Sequence, residues 1–153
     1  MEIQKAKRKV RRKDSRSPAT QADQLRAALK PNTKALILCN PSNPTGSVIT
    51  EAGQRELLDV LEQHEQLTGT RVWVISDEIY ERLHYEPSTP HASFAALDEG
   101  AKQRTVTVNG FSKAFAMTGF RLGYLAAPLA VASVEIKSSS ALQFEVFRTG
   151  LAM

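Results

Sequence analysis

The chain of 153 residues has room for one domain of ordinary size. Hydrophobic residues make up 42% and charged residues 24%, which excludes wholesale disorder. No apolar run reaches the ~20 residues of a membrane span, and one cysteine, Cys39, excludes an internal disulfide and a Cys-based zinc site and fits a reducing, cytoplasmic setting.

The formal net charge of +4 is unevenly spread: residues 1–16 hold eight bases and two acids, a net of +6, and the remaining 137 residues carry −2. Residues 1–17 therefore read as a basic, disordered leader. Such runs also serve as addresses or nucleic-acid contacts, but a solvated leader is preferred and nucleic acid is not expected as a partner. The segment has no apolar stretch of the secretory type and no amphipathic face of the mitochondrial type.

From residue 18 the texture changes. Thr20 and Asp23 form a capping pair, and Leu25, Ala28 and Leu29 follow at helical spacing until Pro31. Ala35–Cys39 is a continuous apolar run that suits a strand buried on both faces. It stops at Asn40-Pro41-Ser42-Asn43-Pro44-Thr45-Gly46, a cluster of turn residues. Thr50 caps a helix whose apolar stripe is Leu57, Leu58 and Leu61, widened by Val60 and Leu67 and stopped by Gly69. Val72–Ile75 is a second buried strand. Strand, helix and strand make a right-handed βαβ unit with parallel strands.

A short helical piece near Ala92–Leu97 leads to a third strand, Thr105–Val108, through a connection long enough for another parallel crossover. A fourth strand at Leu122–Ala127 follows too closely for a parallel return and is expected antiparallel. A last helix starts near Leu129, and residues 138–153 are poorly patterned. His64, His84 and His91 show no metal-ligand spacing, and no metal site is expected.

Ligands of open α/β sheets bind beyond the carboxyl ends of the strands. Here Asn43 and Pro44 follow the first strand, Asp77 and Tyr80 the second, and Asn109-Gly110-Phe111-Ser112-Lys113 the third. An amide, a carboxylate, a phenol and an amine thus meet at one edge. Arg121 lies eight residues further on, between Gly119 and Gly123.

Three stretches carry a resemblance: Asn40–Gly46, Ser76-Asp77-Glu78-Ile79-Tyr80, and the run from Asn109 to Tyr124. Together they resemble the class I aminotransferases, pyridoxal-phosphate (PLP) enzymes of fold type I, and most of all the prokaryotic-type aspartate aminotransferases. The resemblance covers roughly residues 18–128. It implies an α/β fold, a three-layer sandwich on a mostly parallel sheet, with residues 18–137 as the central part of the large, PLP-binding domain. It further implies transfer of an amino group between an amino acid and a 2-oxo acid, and a homodimer in full-length relatives.

Carried over by position, Lys113 resembles the lysine that bonds the cofactor aldehyde and then shuttles the substrate proton. Asp77 resembles the partner of the pyridine nitrogen, and Asn43 and Tyr80 the donors to the ring's phenolic oxygen. Arg121 resembles a phosphate ligand, with Ser112 beside it. A cis Asn43–Pro44 bond is expected. Two positions depart from the pattern: Gly110 stands where many relatives carry a hydroxyl residue, and Phe120 where tryptophan is common. The chain lacks segments that family members use for the phosphate loop, the stacking ring and the substrate-carboxylate arginine. It is therefore expected to be a truncated piece that is not competent alone, with sheet edges and an apolar face uncovered. Two alternatives stay open: a PLP-dependent carbon–sulfur lyase within the same fold, and a catalytically inactive remnant or interaction protein that works through its basic leader.

Overall fold

The computed structural model describes residues 20–85, 90–132 and, as backbone, 143–146. The leader at residues 1–17 and most of the tail at 138–153 lie outside the described residues. Helix α1 (Gln21–Ala28) opens on the expected capping pair. The Thr20 hydroxyl accepts from the Asp23 amide at 3.1 Å, and the Asp23 carboxylate accepts from the Thr20 amide at 3.2 Å. Two of the orphan amides at the helix start are thereby satisfied.

Five strands form one sheet in the order β1 (Ala35–Cys39), β2 (Trp73–Asp77), β3 (Thr105–Gly110), β4 (Leu122–Ala126) and β5 (Gln143–Val146). The pairs β1–β2 and β2–β3 are parallel, and β3–β4 is antiparallel, as the short connection requires. Strand β5 runs parallel to β4 inside the segment that reads as poorly patterned. Its four residues, Gln-Phe-Glu-Val, are too short a run to rise above a loop. Strand β2 runs two residues past Ile75, so Asp77 is its last residue rather than its successor. Asn109 and Gly110 likewise belong to β3.

Helix α2 (Glu51–Thr68) is the main cover of the sheet. The Thr50 hydroxyl accepts from the Gly53 amide at 3.2 Å, and Gly69 ends the helix at φ 67°, where a side chain would be strained. Leu57, Leu58, Val60 and Leu61 are buried against Leu38 and Val74 of the sheet, against Val72 just before β2, and against Phe94 and Leu97 beyond it. Leu67 does not join that stripe and is 86% exposed. It sits in the last turn, where the inward contacts are ionic instead: Glu65 pairs with Arg104 at 2.8 Å and Arg71 at 3.1 Å. The short helical piece is a single 3-10 turn at Phe94–Ala96, followed by α3 (Glu99–Lys102), and the helix expected near Leu129 is α5 (Leu129–Ala132). No helix among the described residues is long and apolar enough to cross a membrane.

The helical cover that builds the core lies on the sheet face of Leu38 and Val74. The register aligns Ile37, Ile75 and Val106 on the other face, where Ile37 is 73% exposed. Strand β1 is therefore half-buried rather than buried on both faces. It is an edge strand of the described sheet, and the described residues place no core cluster over that side.

Leu61 is fully buried in the core, so Leu61→Ala is expected to cost about 2–5 kcal/mol. Ile37→Ala, on the open face, is expected to cost under about 1 kcal/mol. Urea midpoints at constant slope measure both.

Candidate active site

The ends of three parallel strands share one rung: Cys39 pairs with Asp77, and Asp77 with Val108. Each exit from that rung carries one part of the site. The loop after β1 contains two cis peptide bonds, the expected Asn43–Pro44 and also Asn40–Pro41. Asn40 is buried and closes the loop on itself. Its side-chain amide donates to the Ile49 carbonyl at 3.1 Å, and its side-chain oxygen accepts from the Ile49 amide at 2.9 Å. Its backbone amide donates to the Asp77 carbonyl at 3.1 Å. Gly46, at φ 69°, makes the tight turn between.

That loop presents Asn43 to the exit of β2. The Asn43 Nδ2 donates to the Tyr80 hydroxyl at 2.7 Å. The Lys113 Nζ stands 5.8 Å from the centroid of the Tyr80 ring. Asn43, Tyr80 and Lys113 are thus brought together from three separate segments. A cleft of about 550 Å³, lined by Pro41, Asn43, Pro44, Val48, Tyr80 and Tyr85, opens beside them. The Asp77 carboxylate ends the middle strand, half-buried, and its Oδ1 accepts from the Ile79 amide at 3.2 Å.

Lys113 is carried on α4 (Phe111–Ala114) just past β3. Phe111 anchors this turn, with ring centroids 5.6 Å from Phe115 and 6.2 Å, edge-on, from Tyr124 of β4. Ser112 is half-buried next to Lys113. Arg121 is exposed, sits at φ 54° between a 3-10 turn and β4, and spends an Nη1 donor on the Thr118 carbonyl at 3.4 Å. The site cluster therefore contains Asn43, Tyr80 and Lys113. Asp77 stands on the adjacent strand end, and Arg121 is turned back onto its own turn.

Gly110 has a packing reason. A Cβ there would stand 3.0 Å from the Leu122 carbonyl oxygen and 3.1 Å from the Gly123 Cα. The Gly110–Gly123 pair lets β4 come this close, and that leaves no space for a hydroxyl side chain.

Sequence reading missed Glu78. It follows Asp77 in the chain, points to the opposite face and is 3% exposed. Its Oε1 accepts from the Ser76 hydroxyl at 2.8 Å, the Ser93 hydroxyl at 2.9 Å and the Phe94 amide at 3.3 Å, and its Oε2 lies 3.3 Å from His91 Nε2. Burial pushes the carboxyl up, but the hydrogen bonds from His91, Ser76 and Ser93 outweigh it and hold Glu78 below the usual glutamate range. The available signal was the period of two: with Val74 and Ser76 inward, Glu78 falls inward too, and a buried carboxylate needs donors. Nothing in the spacing pointed to residues 91–94 as their source.

Comparison with known proteins places these features in a family. A family model described as "aminotransferase class I and II" matches residues 3–145. An aspartate aminotransferase of Pinus pinaster is 54% identical over 100 residues, 65% of this chain and 19% of that protein. The solved aromatic aminotransferase of Pyrococcus horikoshii is similar with a TM-score of 0.61 and 45% identity, over 69% of this chain and 26% of that one. A PLP-bound chain from Clostridium difficile 630 is similar with a TM-score of 0.55 and 28% identity, over 64% of this chain and 23% of that one. The chain thus spans a quarter or less of the length of the curated relatives at 19% and 25% coverage.

Two outcomes follow from the geometry. Gly110→Ser is expected to cost about 1–3 kcal/mol by forcing β3 and β4 apart, read as a lower urea midpoint. The depressed Glu78 carboxyl adds stability that is present above its ordinary value of 4.5 and is lost as pH falls through the lower folded value. Glu78→Gln is therefore expected to be less stable at neutral pH and to show a shallower loss below about pH 4.5, a weaker slope kept up by the similarly depressed Glu65.

Proposed function

The chain belongs to the class I and II aminotransferases, and from that membership we propose that it supplies the lysine-bearing half of a PLP site for moving an amino group between an amino acid and a 2-oxo acid. The observation that carries this reading is the Asn43–Tyr80 bond of 2.7 Å beneath the Lys113 amine, 5.8 Å from the Tyr80 ring. Bound PLP supplies an aldehyde for covalent attachment and a ring that stores the electron pair released at the substrate α-carbon.

The donor set fits that group. Lys113 provides a primary amine on a short helix, which would bond the aldehyde once deprotonated and afterwards carry a proton to or from the α-carbon. Asp77 would hold a proton at the ring nitrogen, since a carboxylate beside it favours the charged form. Asn43 and Tyr80 present an amide N–H and a phenol to the ring's phenolic oxygen. Each is oriented by the other, so neither has to be immobilised when the ring arrives. Arg121, whose guanidinium has donors beyond the one given to the Thr118 carbonyl, would hold the phosphate, with Ser112 as a second donor beside Lys113.

The substrates are small, an amino acid and a 2-oxo acid; full transfer belongs to a homodimer of the whole protein, whereas capture of PLP on Lys113 draws on the residues of this chain. A cytoplasmic setting, suited to the lone Cys39, belongs to the same reading.

The test is covalent capture. PLP added to the purified chain is expected to give a new absorbance band. Borohydride reduction and peptide mapping are expected to place the adduct on Lys113, and Lys113→Ala is expected to abolish both. Asp77→Ala is expected to weaken PLP binding by about tenfold or more, equivalent to about 1.4 kcal/mol. An adduct on another lysine, or none, overturns the reading.

A further inference from the structure

We propose that His91 and Glu78 are positioning residues for Asp77, and through it for the ring-nitrogen contact; this rests on the reading of Asp77 given above. Asp77 and Glu78 are consecutive and face opposite ways. Whatever fixes one fixes the direction of the other, because the chain between them has few free torsions. Glu78 is fixed on both levels. Its amide donates to the Val108 carbonyl of β3 at 2.9 Å, and its carbonyl accepts from the Glu81 amide at 2.9 Å. Its carboxylate has donors in Ser76, Ser93, the Phe94 amide and His91.

Three of those four donors come from residues 91–94, which are themselves held from a different element. Buried Gln54 of α2 donates to the Ala92 carbonyl at 2.9 Å. Phe94 is fully buried in the core. The chain of constraint thus runs from α2 and the core through residues 91–94 to Glu78, and ends at the turn that carries Asp77 and Tyr80. The Ile79 amide reports on that end, because it donates to the Asp77 carboxylate at 3.2 Å. The hydrogen bonds of this network do not include Lys113, Asn43 or the Tyr80 hydroxyl.

His91 is the member whose removal is most informative. It is 13% exposed, its Nε2 meets Glu78, and its Nδ1 has no partner among the described residues. His91→Phe keeps a ring and deletes the donor, whereas His91→Gln keeps an N–H at a similar reach. Ser93→Ala serves as a second, milder deletion should the phenylalanine variant fail to fold.

Two readouts on the full chain decide the proposal. Without cofactor, amide hydrogen exchange at Ile79 is compared with Val74 and Leu61. In His91→Phe or Ser93→Ala, Ile79 is expected to lose at least tenfold of its protection, while the two core amides stay within about threefold. With PLP added, the Lys113-dependent band is expected to move its pH midpoint upward, because a ring nitrogen less well held in its protonated state no longer favours proton loss nearby. His91→Gln is expected to restore both. Unchanged Ile79 exchange, equal loss at all three amides, or selective loss with an unmoved band midpoint each overturns the proposal. If the unaltered chain gives no Lys113-dependent band, the functional reading fails, and Ile79 exchange alone still decides whether His91 holds Asp77 in place.

Discussion

The structure depends on one rung of the sheet. Cys39, Asp77 and Val108 lie side by side because β1, β2 and β3 run parallel and in register. Parallel strands finish on the same edge, so three exits open together and the residues that follow them meet without long loops. Slipping any one strand by a single position would turn its inward residues outward. Asp77 would then move to the face that Glu78 now occupies.

The polar groups at this edge divide into two sets with different energetics. Asn43, Tyr80 and Lys113 lie at or near the surface, and their mutual contacts are modest, as expected for a bond and a cation over a ring that water also reaches. Glu78, Asn40 and Gln54 are buried and engaged in hydrogen bonds. Losing a partner there leaves a polar group without water or protein to bond, which costs more than an exposed bond contributes. The exposed set is chemically available because the buried set holds its backbone.

Much of this was legible in the sequence. The Thr20–Asp23 cap, the five-turn helix between Thr50 and Gly69, the parallel pairing and the antiparallel fourth strand all follow from local chemistry and connection length. The residues at the strand ends were legible because unusual side chains sat after apolar runs. What was not legible was long-range. The partners of Glu78 lie 15 and 16 residues away at Ser93 and Phe94, with no periodic signal between. Leu67 matches the helical stripe in angle, yet the core has ended before its turn begins. Ile37 belongs to a fully apolar run, and half of that run faces outward because the core cluster of the described residues covers only the other sheet face.

That edge has a colloidal consequence. Strand β1 has a neighbour on one side only within the described sheet, and its free side offers a row of backbone donors and acceptors beside Ile37. Natural sheets blunt such margins with lysine, proline or a bulge, and Ala-Leu-Ile-Leu-Cys contains none of these. The segment is short, apolar and uncharged, the composition that templates cross-β stacking. A single outward lysine at Ile37 would be the natural gatekeeper of this margin.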